Sequence, residues 1–174
     1  AGFFGDVTDN HNINITLTNS VNNGNVNGIQ NQVAGFIGCM SVGNDVLVTL
    51  SNLQNNGNIS SGLFVGGFWG DAIGNTGTTV LFSDCVNNGM VSGNRFNVGG
   101  FIGFVFNILN VSAEHCENKG NILINNTGEN IAVGGFIGFF TDDMNVVIDP
   151  KNVLTGTNNS GSVTVEGNPS TATV

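Results

Sequence analysis

A short apolar glycine motif returns five times along this 174-residue chain. It reads Ala-Gly-Phe-Phe-Gly at residues 1–5 and recurs, with small changes, at 34–38, 66–70, 99–103 and 134–138. Successive copies start about 32 to 35 residues apart, a period typical of architectures in which stacked units contact only their neighbours. The chain is therefore predicted to be a single repeat domain, 1–174, with repeats at 1–33, 34–65, 66–98, 99–133 and 134–174.

A second landmark marks the middle of each repeat. Residues 22–24, 55–57 and 87–89 read Asn-Asn-Gly, while 118–120 read Asn-Lys-Gly and 159–161 read Asn-Ser-Gly. Because Asn-Gly favours positive φ, each site is predicted to be a tight turn that opens a short strand. The residues expected in these strands are Val26, Ile59, Val91, Ile122 and Val163.

Just before each turn, apolar and polar residues alternate, as in Val48-Thr49-Leu50-Ser51. A period of two predicts a strand with one face in the core and the other mostly in water. The predicted inward pairs are Ile15/Leu17, Val48/Leu50, Val80/Phe82 and Val111/Ala113.

The glycine motif has no polar face. In Val98-Gly99-Gly100-Phe101-Ile102-Gly103, alternate residues on both sides are apolar, which predicts a strand that is covered on both faces. One coil per repeat, stacked in register, accounts for all these patterns. The predicted fold is therefore all-β: a β-solenoid, similar to a parallel β-helix, of five stacked repeats of about 33 residues.

In-register stacking brings equivalent side chains together, so the solenoid predicts an amide ladder at the Asn turns and an aromatic ladder in the core. The predicted aromatic ladder is Phe3, Phe36, Phe68, Phe101 and Phe136. The alternative architecture is a stack of small antiparallel sheets, with one meander per repeat.

Gly-Gly-Phe-Ile-Gly followed by Asn-Asn-Gly-Asn-Val resembles the GLUG-type repeat, whose signature is Gly-Gly-Leu-Val-Gly and then a Gly-Asn-Val turn. The resemblance covers the whole chain, although Phe-Ile replaces Leu-Val and the middle of the fifth repeat departs from the pattern. GLUG-type repeats occur in large secreted and surface proteins. The resemblance therefore implies a solenoid in an extracellular or cell-surface setting, and no particular activity.

Charge excludes two classes of partner. The net charge is −9, and the only Lys and Arg residues are Arg95, Lys119 and Lys151. Nucleic acid and anionic lipid both attract clustered cations, so neither is an expected partner. No apolar run reaches about 18 residues, so membrane insertion is not expected either.

No residue set predicts catalysis, a cofactor or a bound metal. The glycine motif lacks the spacing of nucleotide-binding loops, and acidic pairs such as Asp142-Asp143 or Asp6 with Asp9 lack the spacing of calcium repeats. Asp84 and His115 share a repeat position, but the equivalents Asn19 and Asn52 indicate a polar ladder rather than an acid–base dyad. The chain is expected not to be an enzyme.

Two kinds of covalent modification stay open. Cys85 and Cys116 share a repeat position, so adjacent coils would hold either a disulfide or a stack of buried thiols, while Cys39 is expected in the core. Asn-X-Ser/Thr sequons, about as many as chance would give, are candidates for N-linked glycans. They begin at Asn14, Asn58, Asn110, Asn125 and Asn158.

The ends of the repeat pattern match in phase. A Val precedes Ala-Gly or Gly-Gly at each internal junction, and Val174 followed by a further Ala-Gly-Phe would repeat the junction at Val33. We therefore expect an extracellular structural protein whose units stack head to tail with copies of themselves into a filament or surface stalk, or form part of a tandem array. The alternative is a surface adhesin or carbohydrate-binding module, which would need exposed aromatic residues; the single Trp, Trp69, aligns with core positions.

Overall fold

A computed structural model shows an all-β chain, with no helix among the residues that it describes. The described residues are 2–8, 11–29, 31–41, 43–74, 77–107, 110–125, 131–141, 154–155, 158–166 and 172–173. Residues 9, 142–143, 151 and 174, on which some sequence expectations depend, lie outside these ranges.

The strands are short and follow one another at regular intervals. They are β1 (Phe4–Thr8), β2 (Asn14–Asn22), β3 (Val26–Asn27), β4 (Val33–Ala34), β5 (Ile37–Ser41), β6 (Leu47–Asn55), β7 (Ile59–Ser61), β8 (Phe64–Gly66), β9 (Trp69–Ile73), β10 (Thr79–Ser83), β11 (Val86–Asn87), β12 (Val91–Gly93), β13 (Asn97–Gly99), β14 (Ile102–Phe106), β15 (Asn110–Glu114), β16 (Glu117–Asn118), β17 (Ile122–Asn125), β18 (Ile131–Gly134), β19 (Ile137–Thr141), β20 (Leu154–Thr155), β21 (Asn158–Asn159), β22 (Val163–Glu166) and β23 (Ala172–Thr173).

Each coil of the chain contributes to four sheets. The first coil is β1–β4, the second β5–β8, the third β9–β13, the fourth β14–β18 and the fifth β19–β23. We call the sheets S1 (β1-β5-β9-β14-β19), S2 (β2, β6, β10, β15 and β20, continued by β11, β16 and β21), S3 (β3-β7-β12-β17-β22) and S4 (β4-β8-β13-β18-β23).

All strand pairs among the described residues are parallel and in register with the repeat. Val80, for example, pairs with Val48 of the coil before and with Val111 of the coil after. Five coils are stacked, most of them at a spacing of about 33 residues. The predicted β-solenoid is confirmed, and the alternative stack of antiparallel meanders is wrong.

The alternation before each turn is also confirmed. Val48, Leu50, Val80 and Phe82 are buried, whereas Thr49 and other residues of the opposite face are partly open to solvent. Burying the apolar face stabilises each coil, since a fully buried side chain of this size contributes about 1.5–3 kcal/mol relative to an exposed one.

The sheets enclose two separate cores. The larger lies between S1 and S2 and contains Phe36, Phe68, Trp69, Phe82 and Phe101. The smaller lies between S3 and S4 and is built almost entirely from Val and Ile, such as Ile59 and Val98. Parallel strands whose inner faces pack in this way leave the loops and outer faces to supply the polar surface.

The glycine motif is a corner, and its prediction as one continuous strand is wrong. Val98 and Gly99 end β13 in S4, whereas Ile102 begins β14 in S1, with a bend between them. A Cβ atom on Gly99 would collide with the carbonyl oxygen of Ile102, because the chain folds back on itself there. Both halves of the motif are apolar because the corner brings each of them into a core, not because one strand is covered on two faces.

The Asn-Gly turns do not use positive φ, so that part of the prediction is wrong too. Seven non-glycine residues in the described ranges have positive φ, and four of them lie three positions before the first four triplets, at Asn19, Asn52, Asp84 and His115, with φ of 51° or 52°. Asn and Asp tolerate this region better than most residues. The strands predicted after the turns do begin there, at Val26, Ile59, Val91, Ile122 and Val163.

Glycine at these turns is instead required by the approach of one coil to the next. A Cβ atom on Gly89 would collide with the carbonyl oxygen of Gly57. Gly89→Ala is therefore expected to lower the free energy of unfolding by about 2 kcal/mol, as overpacking of a tight contact does. Urea titration followed by Trp69 fluorescence measures this. Gly24→Ala is the matched control, because the nearest atom to its Cβ would be Asn22 Oδ1 at 3.8 Å; equal losses in the two variants would contradict the explanation.

Candidate functional site

A ladder of asparagine side chains, buried in the first four coils and exposed in the fifth, runs the length of the solenoid, which confirms the predicted amide ladder. In it, Nδ2 of the Asn in each of the first four coils donates a hydrogen bond to Oδ1 of the equivalent residue in the next coil, over 2.6 to 2.7 Å. The second N–H of Asn55 donates to the carbonyl of Gly57 at 2.9 Å, and the same bond recurs in every coil. The members are Asn22, Asn55, Asn87, Asn118 and Asn159.

The amide ladder has a direction. Every donor points toward the fifth coil, so the two ends differ chemically. At the first coil, Asn22 Oδ1 accepts a long bond of 3.3 Å from the backbone N–H of Gly24 and faces away from the stack. At the fifth coil, Asn159 Nδ2 donates to Gly161 and has a further N–H pointing onward, because an amide nitrogen carries two.

The five phenylalanines of the predicted aromatic ladder lie in one column. Their ring centroids are 4.8, 5.2, 4.6 and 4.0 Å apart from one coil to the next. Phe36, Phe68 and Phe101 are fully buried, and Phe82 meets the column edge-on. Phe3 stacks on Phe36 but is 46% exposed, because no described coil covers its other face.

The outer side of the first coil is an open surface among the described residues. Strands β1 to β4 each stand at the end of their sheets, so their outward backbone groups have no strand partner there. Four large apolar side chains of this coil are exposed: Phe3, Phe4, Val21 and Ile29. Unpaired edges that carry apolar side chains are templates for further strand pairing.

Cys85 and Cys116 are both buried and lie next to each other in successive coils, and both are free thiols. The hydrogen bond between the two thiols, together with burial, raises the pKa of Cys85. Their disulfide stays a prediction.

Cys39 is half-buried on the outer face of S1 rather than in the core. Burial, and then the negative charges of Asp71 and Asp6, raise the pKa of its thiol to about 11. The thiolate is the reactive form, so at pH 8 the native protein is expected to alkylate at Cys39 about 100-fold more slowly than the urea-unfolded chain. Peptide mapping after iodoacetamide treatment measures this; equal rates in the two states would contradict it.

Asp84 and His115 form an exposed pair. Nδ1 of His115 lies 3.6 Å from Oδ1 of Asp84, and both side chains are about two-thirds open to solvent. Exposed pairs of this kind contribute little to stability. Both residues have a φ of 52° and lie at bends, between β10 and β11 and between β15 and β16.

The sequons differ in accessibility. Asn14, Asn58, Asn125 and Asn158 are exposed, whereas Asn110 is half-buried with a buried Oδ1. Oδ1 of Asn58 accepts a hydrogen bond from the backbone N–H of Met90 at 3.0 Å. An N-linked sugar replaces a hydrogen on Nδ2, so this contact is compatible with glycosylation of Asn58.

An aromatic cluster on the outside of S1 and S4 was missed from the sequence. Phe104 stacks on Phe64 at 4.9 Å and on Phe139 at 5.8 Å, and Phe96 joins through Phe64. Phe96 and Phe139 are more than 40% exposed, whereas Trp69 is fully buried. The signal was the unbroken apolar run Phe104-Val105-Phe106, which places large rings on the outer as well as the inner face of β14.

No group of three or more His, Cys, Asp or Glu residues in the described ranges could hold a metal ion. No helix in the part of the chain that the structure describes is long and apolar enough to cross a membrane. A shallow groove of about 310 Å³ along S3 is lined by hydroxyl, amide and aliphatic groups, including Ser60, Ser92 and Asn94.

Comparison with known proteins gives no match: no family model fits the chain, and neither a curated protein nor a solved structure is significantly similar to it.

Proposed function

We propose that this chain is a non-enzymatic, extracellular structural repeat protein that forms a filament or surface stalk by end-to-end stacking. The observation that carries the proposal is the amide ladder, which runs through all five coils with an open acceptor at one end and an open donor at the other. In a solenoid, each coil makes its hydrogen bonds with the coils on either side of it, so the same bonds can be made again by a further coil at either end.

The aromatic column supports the same function. Its rings contact one another from coil to coil, and its outermost ring, Phe3, presents an uncovered face to any coil added before it. With a net charge of −9 the protein would stay soluble. The apolar glycine motif and the Asn-Gly turn, which recur once in each coil, also support assignment of the repeats to the GLUG type of secreted and surface proteins.

Electron microscopy tests the function. Negatively stained protein is expected to show unbranched rods whose width is that of one solenoid and whose length grows with protein concentration. Compact single particles at every concentration, with a sedimentation mass of 18.0 kDa, would contradict the filament.

An extracellular location makes a separate prediction. When the chain is secreted from a eukaryotic host, we expect glycans at the exposed sequons, with Asn58 occupied and the half-buried Asn110 unoccupied. Intact mass before and after enzymatic deglycosylation, followed by peptide mapping, measures this. A secreted protein without any glycan, or one modified mainly at Asn110, would contradict it.

The outer aromatic cluster favours a second candidate, a surface adhesin or carbohydrate-binding module. Exposed rings such as Phe96 and Phe139 are the kind of surface on which a sugar ring can pack. A glycan array is the direct test: binding that is lost in Phe96→Ala/Phe139→Ala but kept in Thr16→Ala would favour this candidate, and no binding would count against it.

A further inference from the structure

Two glycines of the first coil have no packing reason, within the described structure, to be glycine. A Cβ atom on Gly5 would have nothing within 4 Å, and one on Gly24 would meet only Asn22 Oδ1 at 3.8 Å. Neither residue has the positive φ that would favour glycine. An alanine would fit at either place.

Seven equivalent glycines of later coils are in tight contact with the coil before. A Cβ atom on Gly70, Gly103 or Gly138 would lie 2.5 to 2.6 Å from a carbonyl oxygen of the preceding coil. At the turns, an added Cβ atom would lie even closer to the carbonyl oxygen of the turn glycine in the preceding coil. The turn glycines in question are Gly57, Gly89, Gly120 and Gly161. Gly5 and Gly24 thus leave open the space that carbonyl oxygens of a preceding coil fill beside the later glycines.

The amide ladder identifies the coil that fits beside Gly5 and Gly24. Asn22 Oδ1 on the first coil needs a donor, and the fifth coil carries one in the onward N–H of Asn159 Nδ2. The turn carbonyl that would fill the space beside Gly24 is that of Gly161, the fifth member of the same column. Shape and hydrogen bonding therefore point to the same surface.

We infer that the first coil of this chain binds the fifth coil of a second copy, in the register that already joins neighbouring coils within one chain. The inference rests on the proposed filament and adds the partner surface and its polarity. Asn159 Nδ2 of one copy donates to Asn22 Oδ1 of the next, and Phe136 of the first copy stacks on Phe3 of the second.

A contact between two first coils does not satisfy the same groups. It would bury Asn22 Oδ1 against its own equivalent, which places two acceptors together without a hydrogen. Two fifth coils would likewise bring two donors together. The contact is therefore heterologous, and because it repeats without closing, it produces a unipolar filament rather than a dimer.

A cysteine pair tests the polarity. Asn25 and Ser162 belong to one exposed column, in which backbone N–H groups of one coil donate to Asn Oδ1 of the coil before. Within one copy the two positions are four coils apart, roughly 19 Å, but across the inferred joint they are one coil apart, about 4.8 Å. Only the second distance is within disulfide reach.

We expect Asn25→Cys/Ser162→Cys, oxidised with copper phenanthroline, to give a series of covalent multimers on a non-reducing gel. Each single variant, which retains the native cysteines, is expected to stay monomeric on the same gel. Covalent dimers of Asn25→Cys alone would show first coil against first coil and would overturn the inference.

Gly24→Ala tests the fit. The added methyl group is expected to raise the protein concentration needed for assembly at least tenfold while leaving the thermal midpoint of the dissociated unit unchanged. Thr16→Ala, an exposed change on the outer face of S2 in the same coil, is expected to assemble like the parent protein.

The outcomes separate the inference from the proposed function. Rods that form equally well with Gly24→Ala, or rods in which the cysteine pair fails to cross-link, would overturn the inference and leave the filament standing. A parent protein that stays monomeric at every concentration would overturn both.

Discussion

Replacing Phe101 with alanine is expected to lower the free energy of unfolding by about 4 kcal/mol. The ring is fully buried and contacts three others: Phe68 at 4.6 Å, Phe136 at 4.0 Å and Phe82 edge-on at 5.7 Å. Its loss removes apolar area and leaves a cavity between two coils that the stacked backbone cannot close.

Urea titration of Phe101→Ala, followed by the fluorescence of Trp69 and by circular dichroism, measures the loss. Phe96→Ala is the matched control, since its ring is 41% exposed and stacks on Phe64 of the outer cluster, so it should cost less than about 1 kcal/mol. Similar losses for the two variants would show that the aromatic column does not stabilise the stack.

Asn87→Ala is expected to cost about 3 kcal/mol. The substitution leaves three buried groups without their partner: an N–H of Asn55, Oδ1 of Asn118 and the carbonyl of Gly89. An unsatisfied buried polar group costs about 1–3 kcal/mol, and relaxation around the new space lowers the sum.

Asn88→Ala is the neighbouring control. Asn88 belongs to a second, exposed ladder, where its Nδ2 donates to Asn56 Oδ1 at 2.8 Å. Water replaces that bond on the surface, so the expected loss is below about 0.5 kcal/mol. If Asn88→Ala proved as damaging as Asn87→Ala, burial would not be what gives the inner ladder its strength.

The repeat pattern was sufficient to predict the fold. Equivalent residues such as Val48, Val80 and Val111 recur at one interval, and in-register stacking is the arrangement that brings them together. The amide ladder followed from the same reasoning, because an Asn at each turn of a stacked coil meets its own equivalent.

Corners were not predictable in the same way. Period-two alternation locates straight strands, but Val98 and Ile102 are separated by a bend in which both neighbouring strands send apolar side chains inward. Single-chain patterns give little information on where a strand changes direction. The positive φ of Asp84 and His115 likewise occurs at bends within a coil, between β10 and β11 and between β15 and β16, rather than at the Asn-Gly signal that follows.

The candidate site was partly predictable. The columns of Asn and Phe side chains followed from in-register stacking, but the direction of the amide ladder depends on which atom of each Asn faces which neighbour. The outer aromatic cluster depends on contacts between residues on different sheets, such as Phe64 and Phe104, which no spacing along the chain indicates.

Because every coil contributes the same Asn to the amide ladder, the ladder does not determine the order in which the coils stack during folding. Asn55 would bond as well to Asn118 as to Asn87, so the ladder cannot distinguish an adjacent coil from one that lies two repeats away. The correct order depends on the short connections between coils and on residues that occur in only one or two of them, such as Trp69 and the Cys85–Cys116 neighbours. Skipped coils and exchange of coils between molecules are therefore the misfolded states to expect when this protein is refolded at high concentration.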